Sequence, residues 1–417
     1  CTMSKRNLLL LFLLLCPFAG ARSANDVLKL YFKSIGIQQG LSHQMVNAIV
    51  KDPQGFIWIG TAEGLNRYDG TEFHVYRHEP GNPCSLSTSW INCLYITRDG
   101  RLFIGTEKGV NVYNAQKENF ERISAENDSR NLLGNLRIRC FCEDSKGYLW
   151  IGTLDGLIRF DRRNGLINFY KLNHYDRDKM HNEVRSLCED SAGRLWIGTF
   201  DGLYCRETES GVFKSVPLKK APAEGNCLIS GLHIQQEDPH TLYIAATGGL
   251  RVFDTETGGE RHYHTANSGI ASNDVRDVTR YDAKHVLAAT SSGLSVFDIP
   301  SGGFTNFANS ITDPVSLPTQ IVRCLFQDDN GLVWLGTNYG VACCNSHRRP
   351  IDVHYINDTD AEGHTTRETI TDIAVLPGEI WIGTNNGLMC YSPDMRLKRH
   401  FTTKNSLLPH NNIKRIL

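Results

Sequence analysis

VRSLCEDSAGRLWIGTFDGL, residues 184–203, contains the unit from which most of this chain is built. An apolar segment leads to an Asp-x-x-Gly turn, and a second apolar segment ends in Trp-Ile-Gly-Thr and a short Gly-Leu turn. Close variants of this unit occur before and after it at nearly constant spacing. The sequence therefore predicts a repeat protein.

Eight copies of the unit are present, and a ninth begins at Ile413. Successive copies are 44–47 residues apart, measured between their turn glycines Gly64, Gly109, Gly156, Gly202, Gly249, Gly293, Gly340 and Gly387. The copies around Tyr243 and Leu287 are degenerate. A period of about 40–50 residues is typical of one four-stranded blade of a β-propeller.

The internal pattern of each copy favours strands over helices. The third copy has four short apolar runs, at residues 138–142, 148–151, 157–160 and 167–170, separated by turn residues. No run shows helical apolar spacing over 11 or more residues. The connections have hairpin length. We therefore predict an all-β fold of four-stranded antiparallel blades.

Two sets of repeat residues have structural roles in this interpretation. The recurring aromatic residues should fill the wedge between neighbouring blades, and they include Trp58, Trp150, Trp196, Trp334 and Trp381. The turn glycines should adopt positive φ, which glycine reaches without steric cost. They include Gly64, Gly156, Gly202, Gly340 and Gly387.

An isolated strand-like segment, residues 28–35, precedes the first complete copy. If it completes the last blade, copies one to seven form a seven-bladed propeller over residues 26–346. A second isolated segment, residues 351–356, follows a basic, proline-terminated stretch. Residues 347–417 are therefore predicted to begin a second, truncated propeller. A single eight-bladed ring is the alternative.

The N-terminus has the pattern of an export signal. Lys5 and Arg6 precede an apolar run from Leu8 to Leu15, followed by a small-residue cleavage site. Residues 1–24 are predicted to be a signal peptide cleaved after Ala21, and an uncleaved anchor is the alternative. The first residue is Cys1 and the last lies within a predicted strand, so we expect a piece of a longer protein.

The amino-acid composition limits the classes of partner that the chain can bind. The chain has 417 residues, with 44 Lys and Arg against 45 Asp and Glu, which excludes a global positive field for nucleic acid. Of 13 cysteines, 11 follow Ala21, and five of these recur in one predicted strand type: Cys93, Cys140, Cys142, Cys188 and Cys324. We interpret them as buried small side chains. We predict no metal and no cofactor.

These copies resemble the two-component regulator propeller repeat, and residues 184–203 match it along their length. The resemblance covers about residues 28–417 and extends to the periplasmic sensor region of hybrid two-component histidine kinases of Bacteroidetes. It implies two propellers, a β-sandwich, a membrane helix and a cytoplasmic kinase. It also implies a periplasmic homodimer that detects glycan fragments and regulates polysaccharide-utilisation genes, with no contact to the membrane except through the downstream helix.

Strand order predicts which residues surround the central channel. One set follows the first apolar residue of each first strand: Asn47, Asn92, Arg139, Arg185, Ser230, Arg276 and Arg323. A second set precedes each turn glycine: Glu63, Lys108, Asp155, Asp201, Gly248, Ser292 and Tyr339. Both sets should meet on one face of the ring.

The four arginines of the first set have two interpretations. They could form an anion-binding mouth for a ligand such as an acidic sugar, or pair between blades with carboxylates such as Asp155 and Asp201. Trp90, Phe200 and Tyr339 are candidate aromatic platforms for a sugar on the same face.

No catalytic residue is assigned. His43, His181, Asp155 and Asp201 lie near the predicted mouth but form no recognisable acid/base constellation. A secreted propeller enzyme, a lyase or glycosidase, and a protein-interaction scaffold are the alternative functions.

Overall fold

The computed structural model describes residues 28–172, 182–208, 211–219, 227–235, 238–313, 315–345, 356–359 and 365–416. Within these ranges the chain is almost entirely β-structure, with eight four-stranded antiparallel sheets. The predicted signal peptide, residues 1–24, lies outside them, as does His181. None of the described helices has the length and apolar character needed to cross a bilayer.

Each of the first six sheets is a meander of four consecutive strands, here called A to D. Blade 1 consists of Val46–Lys51, Ile57–Thr61, Gly64–Tyr68 and Phe73–Tyr76. Blade 2 consists of Ile91–Ile96, Leu102–Thr106, Val110–Asn114 and Asn119–Arg122. Blade 3 consists of Ile138–Glu143, Leu149–Thr153, Gly156–Asp161 and Leu166–Tyr170.

Blades 4 to 6 repeat this arrangement. Blade 4 consists of Val184–Glu189, Leu195–Thr199, Gly202–Arg206 and Phe213–Val216. Blade 5 consists of Ile229–Ile234, Thr241–Ala246, Gly249–Asp254 and Glu260–Tyr263. Blade 6 consists of Val275–Arg280, His285–Thr290, Gly293–Asp298 and Gly303–Phe307. A short helix, Leu132–Asn135, and a 3₁₀ turn, Ile37–Gln39, lie between strands.

Blade 7 is assembled from both ends of the ring. Its strands A to C are Val322–Gln327, Leu332–Thr337 and Gly340–Asn345. Its outer strand is Lys33–Ile35, which pairs antiparallel with the third strand. Blade 7 also packs directly on blade 1. The predicted seven-bladed propeller is therefore confirmed, and the alternative of a single eight-bladed ring is wrong.

An eighth sheet follows the ring, with strands Ile370–Leu376, Glu379–Thr384, Gly387–Tyr391 and Leu397–Phe401. A two-stranded ribbon, Asn357–Thr359 and Thr365–Arg367, precedes it. On one side of the eighth sheet, the Ile413 amide donates to the Thr384 carbonyl, and the Ile416 amide donates to a carboxylate oxygen of Asp372. In the ring, the Leu325 amide of blade 7 donates to Asp277 of blade 6 in the same way as the Ile416 amide donates to Asp372. The domain limits 26–346 and 347–417 remain predictions.

The recurring aromatic residues pack between blades, as predicted. Trp58 lies against Ile91 and Ile104 of blade 2, and Trp150 lies against Val184 and Ile197 of blade 4. Trp196 and Trp334 contact blades 5 and 1 in the same way. Every blade therefore contributes an aromatic or large apolar side chain to the core of its neighbour. Trp381 of the eighth sheet is only half-buried.

An aspartate in the first hairpin of a blade fixes the orientation of the tryptophan. In blade 3 one carboxylate oxygen of Asp144 accepts from the Tyr148 amide at 2.9 Å, and the other accepts from Trp150 Nε1 at 2.8 Å. Blade 7 is an exception: its aspartate closes the turn, but Trp334 Nε1 is buried without an acceptor. One residue thus links turn formation to the packing between blades.

The turn glycines have the predicted conformation. Gly64, Gly156, Gly202, Gly340 and Gly387 all have φ between 90° and 147°. The threonine three residues earlier closes the turn, because its hydroxyl donates to the glycine carbonyl and accepts an amide inside the turn. This explains why the repeat ends in Gly-Thr.

The cysteines of the described ranges are free thiols. Cys93, Cys140 and Cys324 face a glycine of the adjacent strand, in positions where only a small side chain fits. Burial raises the pKa of Cys188 and of Cys324 to about 12. Such thiols act as small apolar groups.

A buried carboxylate joins blades 6 and 7. Asp277 accepts hydrogen bonds from its neighbour Val278 at 2.9 Å and from the Leu325 amide of blade 7 at 2.8 Å. Burial nevertheless raises the pKa of Asp277 to about 6, against a usual value of 3.8. The two amide hydrogen bonds only partly offset the loss of solvent.

We expect Asp277→Asn to change the pH dependence of stability. In the native protein Asp277 binds its proton more tightly than in the unfolded chain. Its contribution to the free energy of unfolding is therefore largest below pH 4 and is lost as pH rises through about 6. Between pH 4 and pH 7.5 the variant should therefore gain about 2–3 kcal/mol relative to wild type in urea unfolding. Asp69→Asn is the control, because hydrogen bonds lower the pKa of Asp69 to about 2 and it does not titrate in this window. Parallel curves for Asp277→Asn and wild type would contradict the prediction.

Candidate functional site

The first strand of every blade in the ring carries a β-bulge at its second residue. In blade 1 Val46 pairs with Thr61 and Ala48 with Gly60, so Asn47 between them has no partner in the ladder. The same shift occurs in the other six blades. A bulge re-aims one side chain. Here it directs into the central channel the side chains of Asn47, Asn92, Arg139, Arg185, Ser230, Arg276 and Arg323.

These seven half-buried residues line one cavity of about 640 Å³, here called the channel mouth. This volume is within the range of small-molecule sites. Trp90, Glu107, Arg137, Leu228, Thr247 and Asp274 complete the lining. All seven residues of the first predicted set therefore line the channel mouth.

Arg139 and Arg185 share one carboxylate. Glu183 lies at the start of blade 4 with its side chain only 3% exposed. Its two oxygens lie 2.6 Å from Arg139 Nε and 3.3 Å from Arg185 Nε. A single negative charge is thus divided between two guanidinium groups of neighbouring blades.

Arg276 and Arg323 form a second pair on blades 6 and 7. Arg276 donates two hydrogen bonds to one carboxylate oxygen of Asp274, from Nη2 at 2.9 Å and from Nε at 3.1 Å. Among the described residues, Arg323 donates only to amide oxygens, those of Asn47 at 3.0 Å and Asn338 at 3.3 Å. Burial, and to a smaller extent the charge of Arg276, lower the pKa of Arg323. The guanidinium stays protonated near neutral pH.

Three of the four arginines, Arg139, Arg185 and Arg276, therefore pair with carboxylates, but not with those that the sequence indicated. A carboxylate oxygen of Asp155 lies 3.5 Å from Lys171 Nζ. The backbone amide of Asp201 donates to the Thr199 hydroxyl within its own turn. The partners are Glu183 and Asp274, which directly precede a first strand.

The turn residues of the second predicted set are absent from the lining of the mouth. Among them, Tyr339 is 65% exposed and borders a separate groove with Ile37 and Gln44. Phe200 is half-buried outside the mouth and donates its amide to the Glu183 carbonyl. Of the three candidate aromatic platforms, Trp90 belongs to the lining of the mouth, and Phe200 and Tyr339 do not.

A neutral sector of the mouth lies on blades 1 and 2. It consists of Trp90, which is 39% exposed, with Asn47 and Asn92. The amide nitrogen of Asn92 is buried without a hydrogen-bond partner. An aromatic face beside polar amide side chains is a combination suited to a sugar ring.

The side chains around the mouth carry a net positive charge. Five arginines, counting Arg137, face three carboxylates, those of Glu107, Glu183 and Asp274. Arg323 Nε and Asn92 Nδ2 are both buried donors without an acceptor. Across the described ranges, no three His, Cys, Asp or Glu side chains are grouped to hold a metal ion.

The family comparison agrees with the repeat and the ring. The two-component regulator propeller family matches the chain at residues 40–63, 85–108, 131–155, 178–201 and 316–339. Five segments of the chain are thus similar to repeats of this family. Each matched segment spans the first two strands of a blade and ends in the turn that follows them, and so includes the bulge residue of the mouth.

Solved structures of similar fold come from B. thetaiotaomicron. The extracellular domain of a putative one component system has 22% sequence identity and a TM-score of 0.64, over 93% of this chain and 50% of that one. The extracellular domain of a putative hybrid two component system has 19% identity and a TM-score of 0.62, over 92% of this chain and 62% of that one. At these identities the likeness shows the fold.

A curated relative is similar over a shorter stretch. Histidine kinase P4 of Formosa agariphila is 38% identical over 78 residues, which is 19% of this chain and 5% of the kinase. The chain thus spans about half to three fifths of the similar structures and a small part of this relative.

Proposed function

We propose that this chain is the periplasmic ligand-sensing part of a hybrid two-component sensor histidine kinase, and that its ligand is an oligosaccharide. The observation that carries the proposal is a polar mouth of about 640 Å³ at the centre of a ring of regulator-type repeats. The fold likeness to extracellular domains of bacterial two-component systems supports an exported receptor.

The proposed receptor extends beyond this chain. A downstream membrane helix would anchor it in the inner membrane, and a cytoplasmic kinase would act as a homodimer to control polysaccharide-utilisation genes. The similarity to a histidine kinase over 78 residues supports this arrangement. Reading the gene beyond the codon for Leu417 tests it, because a membrane helix and a kinase should follow.

An enzyme is less well supported by the site. The two carboxylates in the lining, Glu107 and Asp274, are each bound by an arginine. His43 is not among the residues that line the mouth. Its Nδ1 accepts a hydrogen bond from the Met45 amide at 3.0 Å. Acid/base chemistry needs convergent titratable groups that are free to exchange protons.

A blocked mouth should abolish sensing. Ser230→Trp places a large side chain at a bulge position of the lining, and Ser191→Trp, in the exposed first hairpin of blade 4, is the matched control. Calorimetric titration of the full chain with a panel of oligosaccharides should identify a binder whose affinity falls at least tenfold in Ser230→Trp only. The same sugar should induce transcription through the intact receptor. Equal binding by both variants would place the ligand elsewhere.

A further inference from the structure

The two arginine pairs lie on opposite sides of the channel mouth. Arg139 and Arg185 belong to adjacent blades 3 and 4, and Arg276 and Arg323 belong to adjacent blades 6 and 7. The centres of the pairs are three blades apart in a ring of seven, which is nearly the full width of the channel. Ser230 separates them on one side, and the neutral sector separates them on the other.

Each pair keeps about one unit of positive charge. Glu183 neutralises one of the two guanidinium groups on blades 3 and 4. Asp274 neutralises Arg276, while Arg323 has only amide partners. The mouth thus presents two separated positions of equal charge.

The fold itself does not require arginine at these positions. Blades 1, 2 and 5 carry the same bulge with Asn47, Asn92 and Ser230 in place of arginine. Burying Arg323 without a carboxylate is unfavourable for stability, since a desolvated charge needs a compensating partner. The arginines are therefore better explained by a ligand than by blade packing.

We propose that the mouth binds a saccharide that carries two anionic groups, sulfates or carboxylates, one at each arginine pair, with a sugar ring against Trp90. The sugar part rests on the proposed function. A guanidinium offers parallel donors that match the oxygens of a carboxylate or sulfate. Two groups on one ligand bind together more tightly than two separate anions, because the second contact is intramolecular.

The test compares ligands that differ in charge but not in size. Titration calorimetry of the full chain would use galactobiose, digalacturonic acid and a galactobiose with two sulfates, with galacturonic acid and inorganic sulfate as single-anion probes. At least one of the doubly charged sugars should bind at least tenfold more tightly than galactobiose and than the single anions. The two acidic sugars separate carboxylate from sulfate recognition. Raising the salt from 50 to 500 mM should weaken only the charged sugars.

Variants test the two positions separately. Arg323→Gln leaves no buried carboxylate without its partner and should fold normally, and Arg139→Gln removes a charge from the other pair. Each should weaken binding of the doubly charged sugar about tenfold or more, and binding of a single anion by less. Arg163→Gln, whose side chain is 68% exposed and off the mouth, is the control. Thermal unfolding of each variant checks that it is folded.

Three outcomes would overturn the proposal. The first is equal affinity of the chain for galactobiose and for both acidic sugars. The second is binding of the acidic sugars that neither Arg323→Gln nor Arg139→Gln weakens. The third is binding that is weakened by substitution in one arginine pair but not in the other. A neutral oligosaccharide that binds and induces transcription would leave the sensor function intact while removing this assignment. The two proposals therefore fail separately.

Discussion

Trp150→Ala is expected to lower the free energy of unfolding by about 3–5 kcal/mol. The indole is 1% exposed and fills the space between blade 3 and Val184, Leu195 and Ile197 of blade 4. The loss combines lost apolar burial with the cavity left between two sheets that cannot collapse onto each other. Urea unfolding followed by near-UV circular dichroism measures it. A loss below about 1 kcal/mol would contradict this account of how the blades are held together.

A comparison with Trp334 separates packing from hydrogen bonding. Trp150→Phe leaves the Asp144 oxygen that accepted the indole N–H at 2.8 Å without its donor, whereas the Trp334 N–H has no acceptor. Trp150→Phe should therefore cost about 1–3 kcal/mol more than Trp334→Phe. Equal costs would show that the aspartate contributes only through the turn.

Gly152→Ala is expected to destabilise the ring by about 1–3 kcal/mol, although Gly→Ala at an unstrained site usually stabilises. A Cβ at Gly152 would overlap Cys140 Sγ and would lie 2.8 Å from Val184 Cγ1 of the next blade. Both neighbours belong to first strands at the channel, where two blades meet closely. Gly269→Ala is the control, because a Cβ there meets only Phe304 at 3.7 Å.

The degenerate fifth blade indicates how to rescue this variant. There Ala245 pairs with Gly231, so the larger and smaller side chains have exchanged strands. Cys140→Gly should therefore recover about half or more of the loss in Gly152→Ala, measured as a coupling free energy in a double-mutant cycle. Strict additivity of the two substitutions would mean that the clash with Val184 dominates.

Most of the ring could be predicted because its determinants are local. The 44–47-residue period, the hairpin turns and the recurrent tryptophans each depend on residues within one blade. The bulge residues could also be assigned to the channel, because strand order alone determines which strand is innermost. The turn that contains Tyr339 was placed too near the axis, because the distance of a turn from the axis depends on how each sheet tilts.

The arginine partners could not be predicted from the repeat. Glu183 occupies a position that holds Met45, Trp90, Arg137 and Asp274 in other blades, so no pattern identifies it as the acceptor. The contact between Arg323 and Asn47 joins residues 276 positions apart and exists only because the ring closes. Such pairings depend on the packing of neighbouring blades, which the repeat does not encode.

The sequence by itself determined an all-β repeat of four-stranded blades, the aromatic wedges between them and the innermost strand, because these follow from short-range turn chemistry and periodic apolar residues. Only the tertiary structure decided that seven blades close the ring, through the pairing of Lys33–Ile35 with blade 7. It also decided which charges remain unneutralised at the mouth. Both outcomes depend on contacts between residues far apart in the chain, and those contacts form only when the whole ring is assembled.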